Sequence, residues 1–129
     1  MRAILDTSVL LGPTPNKIDG ELAISAASLA ELHFGVLVAR TDAIRAERLR
    51  RVGEIERTFN ALPFDAAVAR HYGRIAAAVV AVGRQPRSRV MDLLIAATAL
   101  AHGAKLLTRN ASDLAGLTDF LEIVDLGGS

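Results

Sequence analysis

The sequence contains no cysteine and no tryptophan, and of its 15 basic residues only Lys17 and Lys105 are lysines. Without cysteine there is no thiol nucleophile, iron–sulfur cluster, cysteine zinc site or disulfide, which fits a reducing compartment such as the cytoplasm. Aromatic residues are scarce: Phe34, Phe59, Phe64, Phe120 and Tyr72 stand apart among apolar neighbours. That scatter argues against a base-stacking platform of the kind RNA-recognition sheets use. Long apolar runs are also missing. The stretches around residues 75–82 and 93–97 fall well short of the ~20 residues that span a bilayer, so no membrane helix is expected. The opening Met1-Arg2-Ala3-Ile4-Leu5-Asp6 meets an aspartate before a signal-peptide apolar region develops, and secretion is not expected. Nor does one sign of charge dominate, since the net charge is only +1, giving the whole molecule no strong pull toward nucleic acid.

What the chain does have is apolar residues, 51% of 129. A chain of this length buries roughly two thirds of the surface its unfolded form exposes, enough for one core without staples. No repeat, low-complexity tract or linker interrupts it, so residues 1–129 are expected to form a single domain. Residues 3–5 and 22–24 read as brief buried strands, each followed by a helix. Residues 27–39 favour helix, and Leu49, Val52, Ile55 and Phe59 recur at helical steps among charges, marking a long amphipathic helix. A weak strand at 61–64 belongs at an edge because of Pro63. Asp65 can cap the next helix, whose apolar stripe Val68, Tyr72, Ile75, Val79 and Val82 runs to Gly83. After a loop over 83–89, Ser88 is expected to open a helix that ends at Gly103, with strands at 105–107 and 121–124. Short strands separated by helices imply an α/β fold, a parallel sheet of about five strands covered on both faces.

In such a sheet ligands bind outside the carboxyl ends of the strands, so polar residues just after strands are the ones to inspect. Asp6 follows the first strand directly, and Asp113 lies shortly after the strand ending near Thr108. Both have a plainer account as caps, Asp6 of the segment from Thr7 and Asp113 in a pair with Asn110. Glu31 and Asp92 are each embedded in an apolar helix, where a carboxylate must be paired, bonded, bound to metal or neutralised. For Asp92 the plain account is the macrodipole of a first turn. For Glu31 it is the capping box Ser28-Leu29-Ala30-Glu31, which fails if Ser25 is the cap instead. Taken together, the four acids can converge at one end of the sheet. Carboxylates gathered in one crevice repel unless a cation neutralises them, and an all-oxygen set suits Mg²⁺ or Mn²⁺ rather than zinc. Two such metals about 4 Å apart can activate a water and stabilise the leaving oxygen of a phosphodiester.

These residues resemble the PIN-domain ribonucleases, and within them the VapC-type toxins of prokaryotic toxin–antitoxin pairs. Ile4-Leu5-Asp6-Thr7-Ser8-Val9-Leu10 resembles the opening motif, and Ser25-Ala26-Ala27-Ser28-Leu29-Ala30-Glu31-Leu32 with Gly35 the second. Met91-Asp92-Leu93-Leu94-Ile95-Ala96-Ala97-Thr98-Ala99 is similar to the third, and Thr108-Arg109-Asn110-Ala111-Ser112-Asp113-Leu114 to the fourth. Each string is weak evidence alone; four in order and at the right intervals are strong. The resemblance implies a three-layer α/β/α fold with strand order 3-2-1-4-5 and a metal site at the carboxyl end of the sheet. Asp6, Glu31, Asp92 and Asp113 inherit the catalytic acids. Asp6 and Asp92 would be the most direct metal ligands, Asp113 would complete the site directly or through water, and Glu31 would hold the cation or a water beside it. Thr7 or Ser8 would orient Asp6. The implied reaction is Mg²⁺-dependent endonucleolytic hydrolysis of RNA, often structured tRNA or rRNA, with Mn²⁺ as a substitute. The implied partners are a cognate VapB antitoxin lying over the site, operator DNA bound only through that antitoxin, and a second copy in a homodimer.

Two departures from the family pattern stand out: Leu114 replaces an aromatic residue common after the fourth acid, and an arginine-rich loop, Arg84-Gln85-Pro86-Arg87-Ser88-Arg89, precedes the third. Its arginines are expected to contact RNA phosphates through charge-assisted bonds. The cluster Arg45, Arg48, Arg50, Arg51 and Arg57 reads more simply as surface cations. A haloacid-dehalogenase-like phosphatase needs a second aspartate two positions after the first, where Ser8 stands. A receiver domain needs an acidic pair and a late lysine that are absent. The competing reading is a PIN-fold module that binds RNA or protein without cutting; retention of four mutually repelling acids argues against it.

Overall fold

The computed structural model describes residues 2–12 and 18–127. Five strands, β1 (Arg2–Leu5), β2 (Glu21–Ser25), β3 (Asn60–Leu62), β4 (Lys105–Thr108) and β5 (Ile123–Asp125), form one sheet in the order β3-β2-β1-β4-β5. Every pairing is parallel, with Ile4 beside Ala23 on one flank and beside Leu106 on the other. Helices α1 (Thr7–Leu11), α2 (Ala26–Leu37) and α3 (Asp42–Thr58) precede β3, and α4 (Ala66–Ala81) and α5 (Val90–Ala101) precede β4.

Alternation along the central strands divides the core. Ala3, Leu5, Ile24 and Leu107 face Val9 and Leu10 of α1, Leu32 and Val36 of α2, and Val52 and Ile55 of α3. Ile4 and Leu106 face Val68, Ile75 and Val79 of α4 and Leu93, Ile95, Ala96 and Ala99 of α5. A sheet apolar on both faces must be covered twice, and this is the three-layer α/β/α arrangement expected. The stripe on α4 covers its own sheet through Val68, Ile75 and Val79, while Val80 and Val82 stay exposed.

Most element ends follow local chemistry. Asp65 caps α4, its Oδ1 accepting from Val68 N at 3.0 Å. Gly83 and Gly103 take φ of +79° and +61°, the left-handed turn that closes α4 and α5 and that other residues adopt reluctantly. Three ends differ from the sequence expectation. The third strand is Asn60–Leu62, not 61–64: it lies at the sheet edge as expected, and Pro63 falls beyond it because proline cannot donate to a ladder. The last strand is Ile123–Asp125 rather than 121–124, with Leu121 turned into the core before it. Ser88 does not open a helix. Pro86–Arg89 is a 3₁₀ turn, Ser88 Oγ donates back to Gln85 O at 3.0 Å, and α5 starts at Val90 without a side-chain cap.

Candidate active site

The strand order reverses at β1, which pairs with β2 on one side and β4 on the other, and ligand crevices open at such switch points. Asp6 stands at the carboxyl end of β1, its backbone N–H extending the pairing to Leu107 O at 3.0 Å. It is 9% exposed. Its Oδ1 accepts from Val9 N at 3.2 Å, capping α1, and from Ser8 Oγ at 2.5 Å. The capping account of Asp6 is therefore true, and it also serves the site by fixing the carboxylate's orientation. Ser8 Oγ further accepts from Arg109 N at 2.9 Å, tying the end of β1 to the turn after β4.

Glu31 is placed by α2. Ser25 is the cap, its hydroxyl accepting from Ala27 N at 3.1 Å, so Glu31 lies beyond the first turn and the Ser28 capping box does not form. Instead Thr7 Oγ1 donates to Glu31 Oε1 at 2.6 Å and lies 3.0 Å from the fully buried Ser28 hydroxyl. The two hydroxyls after Asp6 thus divide their work: Ser8 holds Asp6 and Thr7 holds Glu31. Sequence offered either for Asp6 and gave no sign of the Thr7–Glu31 bond, because that contact spans two segments brought together only by the fold.

Asp92 sits in the first turn of α5. Burial, then the charges of Glu31, Asp6 and Asp113, push its carboxyl above the usual carboxylate range, with Arg89 opposing. A carboxylate that three others act upon is in a crowded site. Asp113 lies on a 3₁₀ turn, Ala111–Leu114, after β4. Asn110 makes no side-chain cap there, so the capping pair expected as its plainer account is not formed. Asp113 Oδ1 instead meets Arg89 Nη1 at 3.1 Å. Arg89 therefore points inward, where the sequence suggested a phosphate contact; Arg84 and Arg87 are exposed.

All four acids line one cleft of about 220 Å³ with Thr7, Ser8, Leu11, Asn110 and Leu114. As folded, no three acidic or histidine groups among the described residues converge tightly enough to enclose an ion alone. The donor set nevertheless fits a hard cation such as Mg²⁺, which binds oxygen and keeps several of its waters rather than needing a closed cage. Thr7, Leu11 and Glu31 also wall an adjoining hollow of about 510 Å³, completed by Leu32, Phe34, Gly35, Val52 and the α3 side chains Glu47, Arg48 and Arg51. Three of the α3 arginines have these local partners. Arg51 donates to Leu10 O and Gly12 O at the end of α1, Arg48 to Gly35 O, and Arg50 pairs with Glu47 and Glu54.

Residues 3–115 match the PIN domain family. The chain is 34% identical over 120 residues to "Ribonuclease VapC5" of Mycobacterium tuberculosis, covering 88% of this chain and 86% of the relative. To "Ribonuclease VapC4" of the same organism it is 32% identical over 131 residues, covering 97% of each. Among solved structures, VapBC-5 of Mycobacterium tuberculosis, described as a member of the VapBC family of toxin–antitoxin systems, superimposes with a TM-score of 0.81 at 32% identity. The match covers 98% of this chain and 100% of that one.

Proposed function

The chain belongs to the PIN-domain family, and on that premise we propose that it is a VapC-type endoribonuclease toxin whose acid cleft hydrolyses RNA phosphodiester bonds with Mg²⁺, Mn²⁺ serving as a substitute. The observation that carries this is the convergence of Asp6 at the end of β1, Glu31 on α2, Asp92 on α5 and Asp113 on the turn after β4 on one cleft. When bound, the cation supplies Lewis acidity toward water and phosphate. Asp6 and Asp92 present the most direct oxygens for it, and Asp113 completes the set directly or through water. Ser8 keeps Asp6 in one orientation. Glu31, with Oε1 held by Thr7, would use its other oxygen to hold the cation or a water beside it. Arg84 and Arg87, exposed on the segment before α5, contact the backbone of the RNA target, a structured tRNA or rRNA.

A cognate VapB antitoxin holds the enzyme inactive by covering the cleft. The hollow beside it supports this, because Leu11 and Phe34 at its wall are each 67% exposed, an apolar surface suited to burial under a partner segment. Operator DNA is reached through the antitoxin, in keeping with a net charge of +1, and the toxin pairs as a homodimer in the cytoplasm. Among the described residues no helix is long and apolar enough to cross a membrane.

The test is cleavage of total cellular RNA by the purified chain, freed of any partner, with Mg²⁺, Mn²⁺ or EDTA, alongside Asp92→Asn. Discrete fragments that require metal and vanish in the variant are expected. No cleavage under any condition from folded protein overturns the reading.

A further inference from the structure

Of the ion pairs among the described residues, one reaches the acid cluster: Arg89 Nη1 to Asp113 Oδ1 at 3.1 Å. The two side chains are 30% and 42% exposed, so the pair sits at the rim of the cleft, partly sheltered from water. Its position ties the cleft together. Arg89 is the last residue of the 3₁₀ turn before α5, three residues from Asp92, while Asp113 lies on the turn after β4. The bond therefore joins the two segments that carry two of the acids. Arg89 also opposes the crowding of negative charge around Asp92.

A guanidinium never gives up its charge, and a divalent cation seeks the same carboxylate oxygens at 2.0–2.1 Å for Mg²⁺. The two cannot both be satisfied by Asp113 without mutual repulsion. We propose that Arg89 is the built-in counter-ion of Asp113: it holds that carboxylate in place, competes with the divalent cation for it, and on release turns its planar fork to the RNA phosphate beside the cleft. This rests on the metal-dependent reading above and adds a role that a simple clamp does not have. A clamp that only maintained structure would, on removal, weaken cation binding and cleavage alike. A resident competitor, on removal, moves them in opposite directions.

The experiment is an Mn²⁺ titration, read by the electron paramagnetic resonance of free Mn²⁺, together with RNA cleavage at saturating Mn²⁺. It compares the wild-type chain with Arg89→Met, Arg89→Lys and Arg87→Met. Arg89→Met is expected to bind Mn²⁺ roughly 2- to 5-fold more tightly, the change that relieving one partly exposed charge interaction brings. Its cleavage kcat/KM is expected to fall by about tenfold or more, as for loss of a charge-assisted bond to phosphate. Arg89→Lys should keep near wild-type Mn²⁺ affinity and recover part of the cleavage. Arg87→Met removes an equal charge from the same turn without touching Asp113 and should leave Mn²⁺ affinity unchanged. Unchanged or weaker Mn²⁺ binding by folded Arg89→Met overturns the counter-ion role while leaving metal-dependent cleavage standing. Equal tightening in Arg87→Met overturns it as well, since general charge would then suffice. Failure of the wild-type chain to bind Mn²⁺ or to cleave overturns the underlying reading too.

Discussion

A carboxylate half withdrawn from water and facing three others destabilises the fold that contains it, and Asp92 is that carboxylate. Its folded-state pKa is raised, so the folded chain holds a proton there more readily than the unfolded chain does. The stability contributed by Asp92 in the cation-free protein therefore rises as pH falls through the raised value and levels off below the unfolded value near ~4. Cation binding runs the other way, because only the ionised form is a ligand. Urea denaturation should find Asp92→Asn more stable than wild type at pH 7, with the difference shrinking toward pH 4, while the variant's cleavage is lost. A variant that is less stable at pH 7 contradicts this. The hydroxyls are separable in the same way: Ser8→Ala and Thr7→Val should each cost about 10- to 100-fold in activity, as loss of a group orienting a ligand usually does. That the four acids gather at one end of the sheet was legible in the sequence, Glu31 and Asp92 because carboxylates in apolar helices need a reason and Asp6 and Asp113 because they follow strands. Which hydroxyl serves which acid, and that Arg89 turns inward, were not. Those directions are set by contacts between β1, α2, α5 and the turn after β4, and no local pattern encodes them.

At the level of elements, the site depends on where α2 begins. With Ser25 as cap, Glu31 falls on the turn that faces Thr7; with Ser28 as cap it would have been spent on the helix terminus. Ser25 Oγ and Thr98 Oγ1 of α5 also hydrogen-bond at 3.1 Å, both almost fully buried, so the helices bearing Glu31 and Asp92 are fastened to each other within the core. Ser25→Ala should lower unfolding free energy by about 0.5–2 kcal/mol, measured by urea denaturation, and lose cleavage beyond what that loss of stability explains. Gly103→Ala, at φ +61°, should cost about 1–2 kcal/mol with cleavage per folded molecule unchanged, because it lies far from the acids at the other end of α5. The sequence showed the Asp65 cap and the glycine stops because these are one-residue devices. It misplaced the start of α5 because a 3₁₀ turn led by Pro86 uses Ser88 to bond backward rather than to cap forward, two outcomes that share the same residues.

Across the whole molecule, charge is distributed rather than accumulated. Arg48, Arg50 and Arg51 of α3 are engaged with α2, a neighbouring glutamate and α1, whereas Arg84 and Arg87 before α5 stand exposed. Arg87→Ala should therefore reduce the dependence of log KM on log salt by about 0.7, one phosphate contact on a single strand. An unchanged slope would remove Arg87 from the RNA path. The layered architecture followed from alternating strands and helices, and the strand order from the family resemblance, whereas the two hollows at the carboxyl edge became visible only with side chains in place. Thr7, Leu11 and Glu31 form a wall common to both hollows, so an occupant of one that moves this wall is felt by an occupant of the other. A segment seated on the apolar side that shifts Thr7 changes the affinity of the acid side for its cation, and the cation changes the affinity of that segment by the same factor. On the proposed function, inhibition and metal loading would then share one equilibrium, and the response to an antitoxin would become a function of the free divalent cation concentration.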